Sequence, residues 1–192
     1  MNLARPLILA SNSPRRQQLL RELGFDFVVQ VKDTAEDFPA DMPLHEVPEY
    51  LAKKKAMAFA DELTDQVILT ADTVVIVEGR ILNKPKDAYE ARQMLRMLAG
   101  RRHEVVTGVC LLTREDVQVF SDRVLVYFSL LSDAEIDYYI THYRPFDKAG
   151  AYGAQDWLGL VGIERIEGSY FTVMGLPTHK VYQALKEFMI PG

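Results

Sequence analysis

The sequence predicts an α/β protein: a mixed, twisted sheet with flanking helices and a cleft at the strand ends. Strand-length apolar runs alternate with capped helical segments in the first half, and two long β-branched runs follow one another in the second. No repeat, low-complexity linker or shift of composition divides the chain, so one domain over residues 1–192 is expected, in one lobe or in two around the cleft. With 192 residues, 48% of them hydrophobic and 26% charged, a sizeable core can be buried.

The elements follow in order. Leu7 to Ala10 is a short apolar strand, and Ser13-Pro14 supplies an N-cap and a first-turn proline for a helix to about Leu23, which Gly24 ends. Phe25 to Val31 alternates as a strand before an acidic, proline-containing loop from Asp33 to Pro43. A helix from about Leu44 to Leu63 tolerates Pro48 only in its first turn and carries Lys53-Lys54-Lys55. Gln66 to Val77 reads as a long strand, turning at Glu78-Gly79 into Arg80-Ile81-Leu82. Asp87 to Glu90 has capping-box spacing for a helix ended by Gly100. His103 to Thr113 and Val117 to Phe128 form an antiparallel pair, and Ser132 to Glu135 is a second capping box, for a helix to about Thr141. Phe146 to Gly175 holds six of the eleven glycines and reads as loop, and Pro177 starts a last helix to about Phe188.

Composition removes several function classes. A net charge of −5 argues against a general nucleic-acid binder, whose affinity comes from a broad basic face, so a phosphate ligand must meet a local basic cluster. No apolar run approaches the roughly 20 residues needed to span a bilayer. The N-terminus lacks a secretory pattern, so a cytoplasmic protein is expected. Cys110, the single cysteine, reads as a small buried hydrophobe. His45, His103, His142 and His179 are scattered without metal spacing, and Tyr138, Tyr139 and Tyr143 fit helix packing.

Four segments carry chemistry. In Ser11-Asn12-Ser13-Pro14-Arg15-Arg16 a turn of small polar residues opens a helix whose N–H groups face the turn, with two arginines in a first turn that disfavours cations unless an anion is bound. In Thr70-Ala71-Asp72-Thr73 a carboxylate interrupts an apolar strand, and it must be paired, hold a metal or face the cleft. Asn83-Lys84-Pro85 pins a lysine on extended backbone. Phe146 to Gln155 is a loop of small residues that ends in a side chain suited to a base edge.

Together these segments, with Leu51 to Ala56, Gly168-Ser169-Tyr170 and Val173 to Pro177, resemble the Maf family of nucleoside triphosphate pyrophosphatases from Leu7 through the last helix. Within the family they resemble the dTTP/UTP pyrophosphatase subgroup rather than the 7-methyl-GTP subgroup. The resemblance implies a deep nucleotide-binding cleft, a fold like that of inosine triphosphate pyrophosphatases, a divalent cation (Mg²⁺, Mn²⁺ or Co²⁺) and a homodimer. It implies Asp72 as proton acceptor and metal ligand, with Glu36 or the adjacent Asp37 as the second acid. It implies Arg15, Thr73 and Gln155 as specificity residues, and Ser13, Arg16, Lys55 and Lys84 around the phosphates. Two rival readings are a pyrophosphatase acting on 7-methyl-GTP or non-standard purine triphosphates, and a non-catalytic nucleotide-binding regulator of cell division. Arg, Thr and Gln at the specificity positions weigh against the first rival, and the presence of both acids weighs against the second.

Overall fold

The structure, a computed structural model, describes residues 1–190. Its elements are β1 (Leu7–Leu9), α1 (Pro14–Glu22), β2 (Val28–Val29), α2 (Val47–Met57), β3 (Val67–Val77), β4 (Arg80–Leu82), α3 (Ala88–Leu98), β5 (Arg102–Leu112), β6 (Val117–Phe128), α4 (Asp133–Tyr143), α5 (Trp157–Gly162), β7 (Ile163–Glu167), α6 (Tyr170–Met174) and α7 (Thr178–Leu185). The seven-stranded sheet has the order β2-β1-β3-β5-β6-β7, with β4 also pairing with β3. It is mixed, as expected: β1 runs parallel to β2 and β3, β4 antiparallel to β3, and β7 antiparallel to β6.

By its contacts the chain divides into two compact units, Met1–Asp72 with Thr107–Asp122 and Gly175–Gly192, and Thr73–Val106 with Arg123–Met174. In the first, Ala10, Ile68, Cys110 and Leu112 pack with Ala52, Ala56 and Phe59 of α2 and the turn after it. Burial pushes the Cys110 thiol up to about 12, so it is the inert small hydrophobe that its apolar surroundings predict. In the second, Val75, Leu95, Leu98, Val126, Phe128, Ile136 and Tyr139 build a core between sheet residues and the helices α3 and α4.

The local chemistry explains most boundaries. Pro14 sits in the first turn of α1, and Gly24 follows its end at φ 83°, a conformation that costs glycine little. Asp87 accepts the Glu90 N–H at 2.8 Å, and Ser132 with Glu135 forms a complete capping box on α4. Three expectations change. The strand expected over Phe25 to Val31 is paired only at Val28–Val29, because β1 offers it just Ile8 and Leu9. Helix α2 ends at Met57, where the Phe59 N–H bonds to the Ala56 carbonyl and Lys32 Nζ donates to the Ala58 carbonyl at 2.9 Å, and a short 3₁₀ turn at Ala60–Glu62 follows. The glycine-rich stretch, expected as loop, contains α5, β7 and α6, and the Ile-Glu-Arg-Ile-Glu of β7 pairs with β6.

Candidate active site

The first unit gathers charge around one lysine. Thr70 on β3 is wholly buried and donates its hydroxyl to the Ala52 carbonyl of α2 at 2.7 Å, which sets the strand against the helix. Lys55 lies three residues on from Ala52, on the same helix face, and Asp72 lies two residues on from Thr70, on the same strand face. Lys55 Nζ accordingly donates to Asp72 Oδ1 at 2.5 Å and to Glu36 Oε1 at 2.8 Å. The acidic loop is laced to the helix beside this point by Lys54, which bonds Asp37 Oδ1 at 2.6 Å and holds that carboxyl below its ordinary range. It is therefore Glu36, not Asp37, that meets Asp72 across Lys55.

The first turn of α1 faces this cluster through Arg16. Its Nη1 donates to the Ala71 carbonyl at 2.8 Å, next to Asp72, and to Ser11 Oγ at 3.4 Å, while its Nε donates to the Gly175 carbonyl at 2.7 Å. Burial pulls Arg16 below its ordinary value, Asp72 pulls it back up, Arg15 lowers it and Glu36 raises it, so all four charges are felt in one neighbourhood. The guanidinium stays charged regardless. Ser13 holds the N-cap position of α1, but its hydroxyl makes no capping bond among the described residues; its N–H instead donates to Ser11 Oγ at 3.2 Å. The first turn of α1 thus presents Ser13, Arg15 and Arg16 with no acid among them.

Thr73, Lys84 and Gln155 belong to the second unit. The loop Asp147 to Gln155 is tied to the lysine segment, since the Gly150 N–H donates to the Asn83 carbonyl at 3.2 Å. Its Gly150 lies against Val75, where a Cβ would come within 3.0 Å of both methyl carbons, and strand alternation puts Thr73 on the face of β3 that Val75 occupies. Gly150 and Ala151 both take the left-handed conformation, at φ 67° and 59°. For Ala151 that conformation costs about 1–2 kcal/mol, so its surroundings must impose it. Gln155 is exposed at the end of this loop.

Sequence reasoning named the charged residues but missed Thr70, which sets the strand–helix register, and Tyr139 and Asp156, which hold the loop. An aspartate just before an apolar helical run was the one available signal.

Two carboxylates on one ammonium, with a guanidinium fixed at the Ala71 carbonyl next to Asp72 and a cation-rich helix start, define an α/β protein equipped to handle a polyanion. The chain belongs to the Maf family: residues 6–188 match the family described as Maf-like protein. It is 52% identical to a dTTP/UTP pyrophosphatase of Porphyromonas gingivalis, covering 95% of this chain and 94% of that one. Proteins of the same name from Bacteroides fragilis (47% identity, 94% and 95% covered) and Christiangramia forsetii (44%, 95% and 94%) are similar over the same span. Among solved structures, that of the Staphylococcus aureus Ham1 protein overlaps 65% of this chain and 72% of its own at 18% identity and a TM-score of 0.49.

Proposed function

We propose that this protein hydrolyses dTTP and UTP, and modified pyrimidine nucleotides of the same shape, to the nucleoside monophosphate and pyrophosphate, and so clears them from the nucleotide pool. The names of the relatives support the reading, and the observation that carries it is the meeting of Asp72 and Glu36 on Lys55. In this reading Ser13, Arg16, Lys55 and Lys84 surround the phosphates, while Arg15, Thr73 and Gln155 read the base. Asp72 takes a proton from water as the water oxygen bonds to the α-phosphorus, and the bond from that phosphorus to the bridging oxygen breaks, releasing pyrophosphate. Arg16 contributes its charge from a position fixed by two main-chain carbonyls, so no reorganisation is needed as charge develops.

A divalent cation fits the donors. Asp72 and Glu36 offer hard carboxylate oxygens that already share one cation, the Lys55 ammonium, and Mg²⁺ characteristically takes one or two carboxylates plus substrate phosphates. These two residues would hold Mg²⁺, Mn²⁺ or Co²⁺, and the ion would neutralise triphosphate charge. The protein works, in this proposal, as a cytoplasmic homodimer without nucleic-acid or membrane partners. Among the described residues no helix is long and apolar enough to cross a membrane, and the net charge of −5 disfavours a nucleic-acid surface.

Product analysis tests the reading. Turnover of dTTP or UTP should release monophosphate and pyrophosphate in equal amounts and stop when divalent metal is chelated. Orthophosphate as the first product, or turnover that survives chelation, would overturn it.

A further inference from the structure

The loop that presents Gln155 is gripped by a side chain from a different element. Tyr139 on α4 is fully buried, and its hydroxyl accepts the Gly153 main-chain N–H at 3.1 Å and donates to Asp156 Oδ2 at 2.8 Å. Asp156 stands at the N-cap of α5, where an aspartate ordinarily caps its own helix. Among the described residues its carboxylate makes no such cap, and it faces Tyr139 and Lys148 Nζ, the latter at 3.6 Å. The backbone threads between these groups, because a Cβ on Gly153 would lie 2.6 Å from Asp156 Oδ2 and 3.0 Å from Lys148 Cε. Gln155 is thus exposed between an anchored residue two before it and an anchored residue one after it.

This hydroxyl does something the core does not require. The Tyr139 ring packs in the second unit's core and stacks on Tyr143 at 5.3 Å between centroids, a role a phenylalanine ring would fill. A hydroxyl buried there is costly unless bonded, and both of its bonds go to the loop. Burial, with the Asp156 charge added, pushes the hydroxyl above its ordinary range, so it remains a donor. An exposed side chain on a backbone pinned at both flanks can meet a ligand without first being ordered, which is where recognition gains most.

We propose that Tyr139 and Asp156 form a positioning pair that sets Gln155 for recognition of the nucleotide base, Tyr139 itself touching no substrate. The proposal rests on the reading of Gln155 as a base-contacting residue. The readout is the ratio of kcat/KM for dTTP to that for 7-methyl-GTP, with melting temperatures alongside. Tyr139→Phe and Asp156→Ala should each lower the ratio about 10-fold, the scale of a small misplacement of a recognition group. Asp156→Asn, whose amide oxygen still accepts from Tyr139, should hold it within about twofold. In a Gln155→Ala background Tyr139→Phe should change the ratio no further. If Gln155→Ala lowers the ratio while Tyr139→Phe and Asp156→Ala leave it unchanged, the pair has no such role and the reading of Gln155 stands. An equal loss from Tyr139→Phe with and without Gln155 also overturns the proposal, since the effect is then structural. An unchanged ratio in Gln155→Ala overturns the reading of Gln155 and the proposal with it.

Discussion

Asp72 carries three demands at one carboxylate: it neutralises Lys55 in the free protein and, in the proposed reaction, would help hold the divalent cation and take a proton from water. Asn at this position keeps the size and one acceptor oxygen for Lys55, which also retains Glu36 as an ionic partner at 2.8 Å, so the cluster should not collapse. Asp72→Asn is therefore expected to lower kcat roughly 100-fold or more, the usual cost of losing a general base, with little change in nucleotide binding measured directly. Retention of more than about a tenth of the wild-type kcat would remove Asp72 from the proton-acceptor role. That Asp72 needed a partner was legible from the cost of a carboxylate in an apolar strand. That the partner is Lys55, shared with Glu36, was not legible, because positions 36, 55 and 72 have no common periodicity and are brought together by tertiary bonds, Thr70 to Ala52 and Lys54 to Asp37. The partner of Arg16 was hidden in the same way, since its bond to the Gly175 carbonyl spans 159 residues of chain.

Helix α2 delivers Lys55, and its seat on the sheet depends on an absent side chain. Gly108 of β5 lies under the first turn of α2, where a Cβ would fall 2.3 Å from the Pro48 carbonyl carbon and 2.4 Å from the Glu49 nitrogen. Those atoms are backbone and cannot swing away, so Gly108→Ala must displace the helix. The expected cost is at least about 2 kcal/mol, seen as a drop of roughly 4–8 °C in melting temperature for a chain of this size. Turnover should fall in the fraction that stays folded, because the displaced helix carries the lysine. A melting temperature within about 1 °C of wild type would show that α2 does not rest on β5 as closely as the structure has it. Elements with local punctuation were the legible ones: Pro14 and Gly24 around α1, Asp87 on α3, and the Ser132–Glu135 box on α4. Extents set by a neighbour were not. β2 is only as long as the stretch of β1 it pairs with, and β7 forms because β6 offers Leu125 to Phe128 as partners to a segment otherwise crowded by glycines.

For the whole molecule, the response to acid should be governed in good part by one histidine. His103 is 1% exposed, enclosed edge-on by Phe128 and Tyr152, with Nε2 sharing a 2.7 Å hydrogen bond with the Tyr152 hydroxyl and Nδ1 without a hydrogen-bond partner among the described residues. Burial lowers its value from 6.5 to about 3, while the same burial pushes Tyr152 above its ordinary range, so only the imidazole titrates in acid. Between pH 6.5 and about 3 the unfolded chain binds a proton that the folded chain refuses, so stability rises with pH across that window and is lost as pH falls. Lowering the pH from 7 to 4 should therefore remove about 3 kcal/mol through this residue alone. Surface carboxylates held low by partners, such as Glu115 beside Arg5 and Asp133 beside Arg96, add losses of the same sign at lower pH, so the acid curve by itself does not isolate the histidine. A His103→Gln variant does. It should be less stable than wild type at pH 7, having lost a ring packed against two others, yet lose about 3 kcal/mol less on going to pH 4, narrowing or reversing the gap. Urea unfolding of both proteins at the two pH values measures this directly. Equal acid losses in the two would mean that His103 takes up its proton within the folded protein, against the burial and aromatic enclosure that surround it.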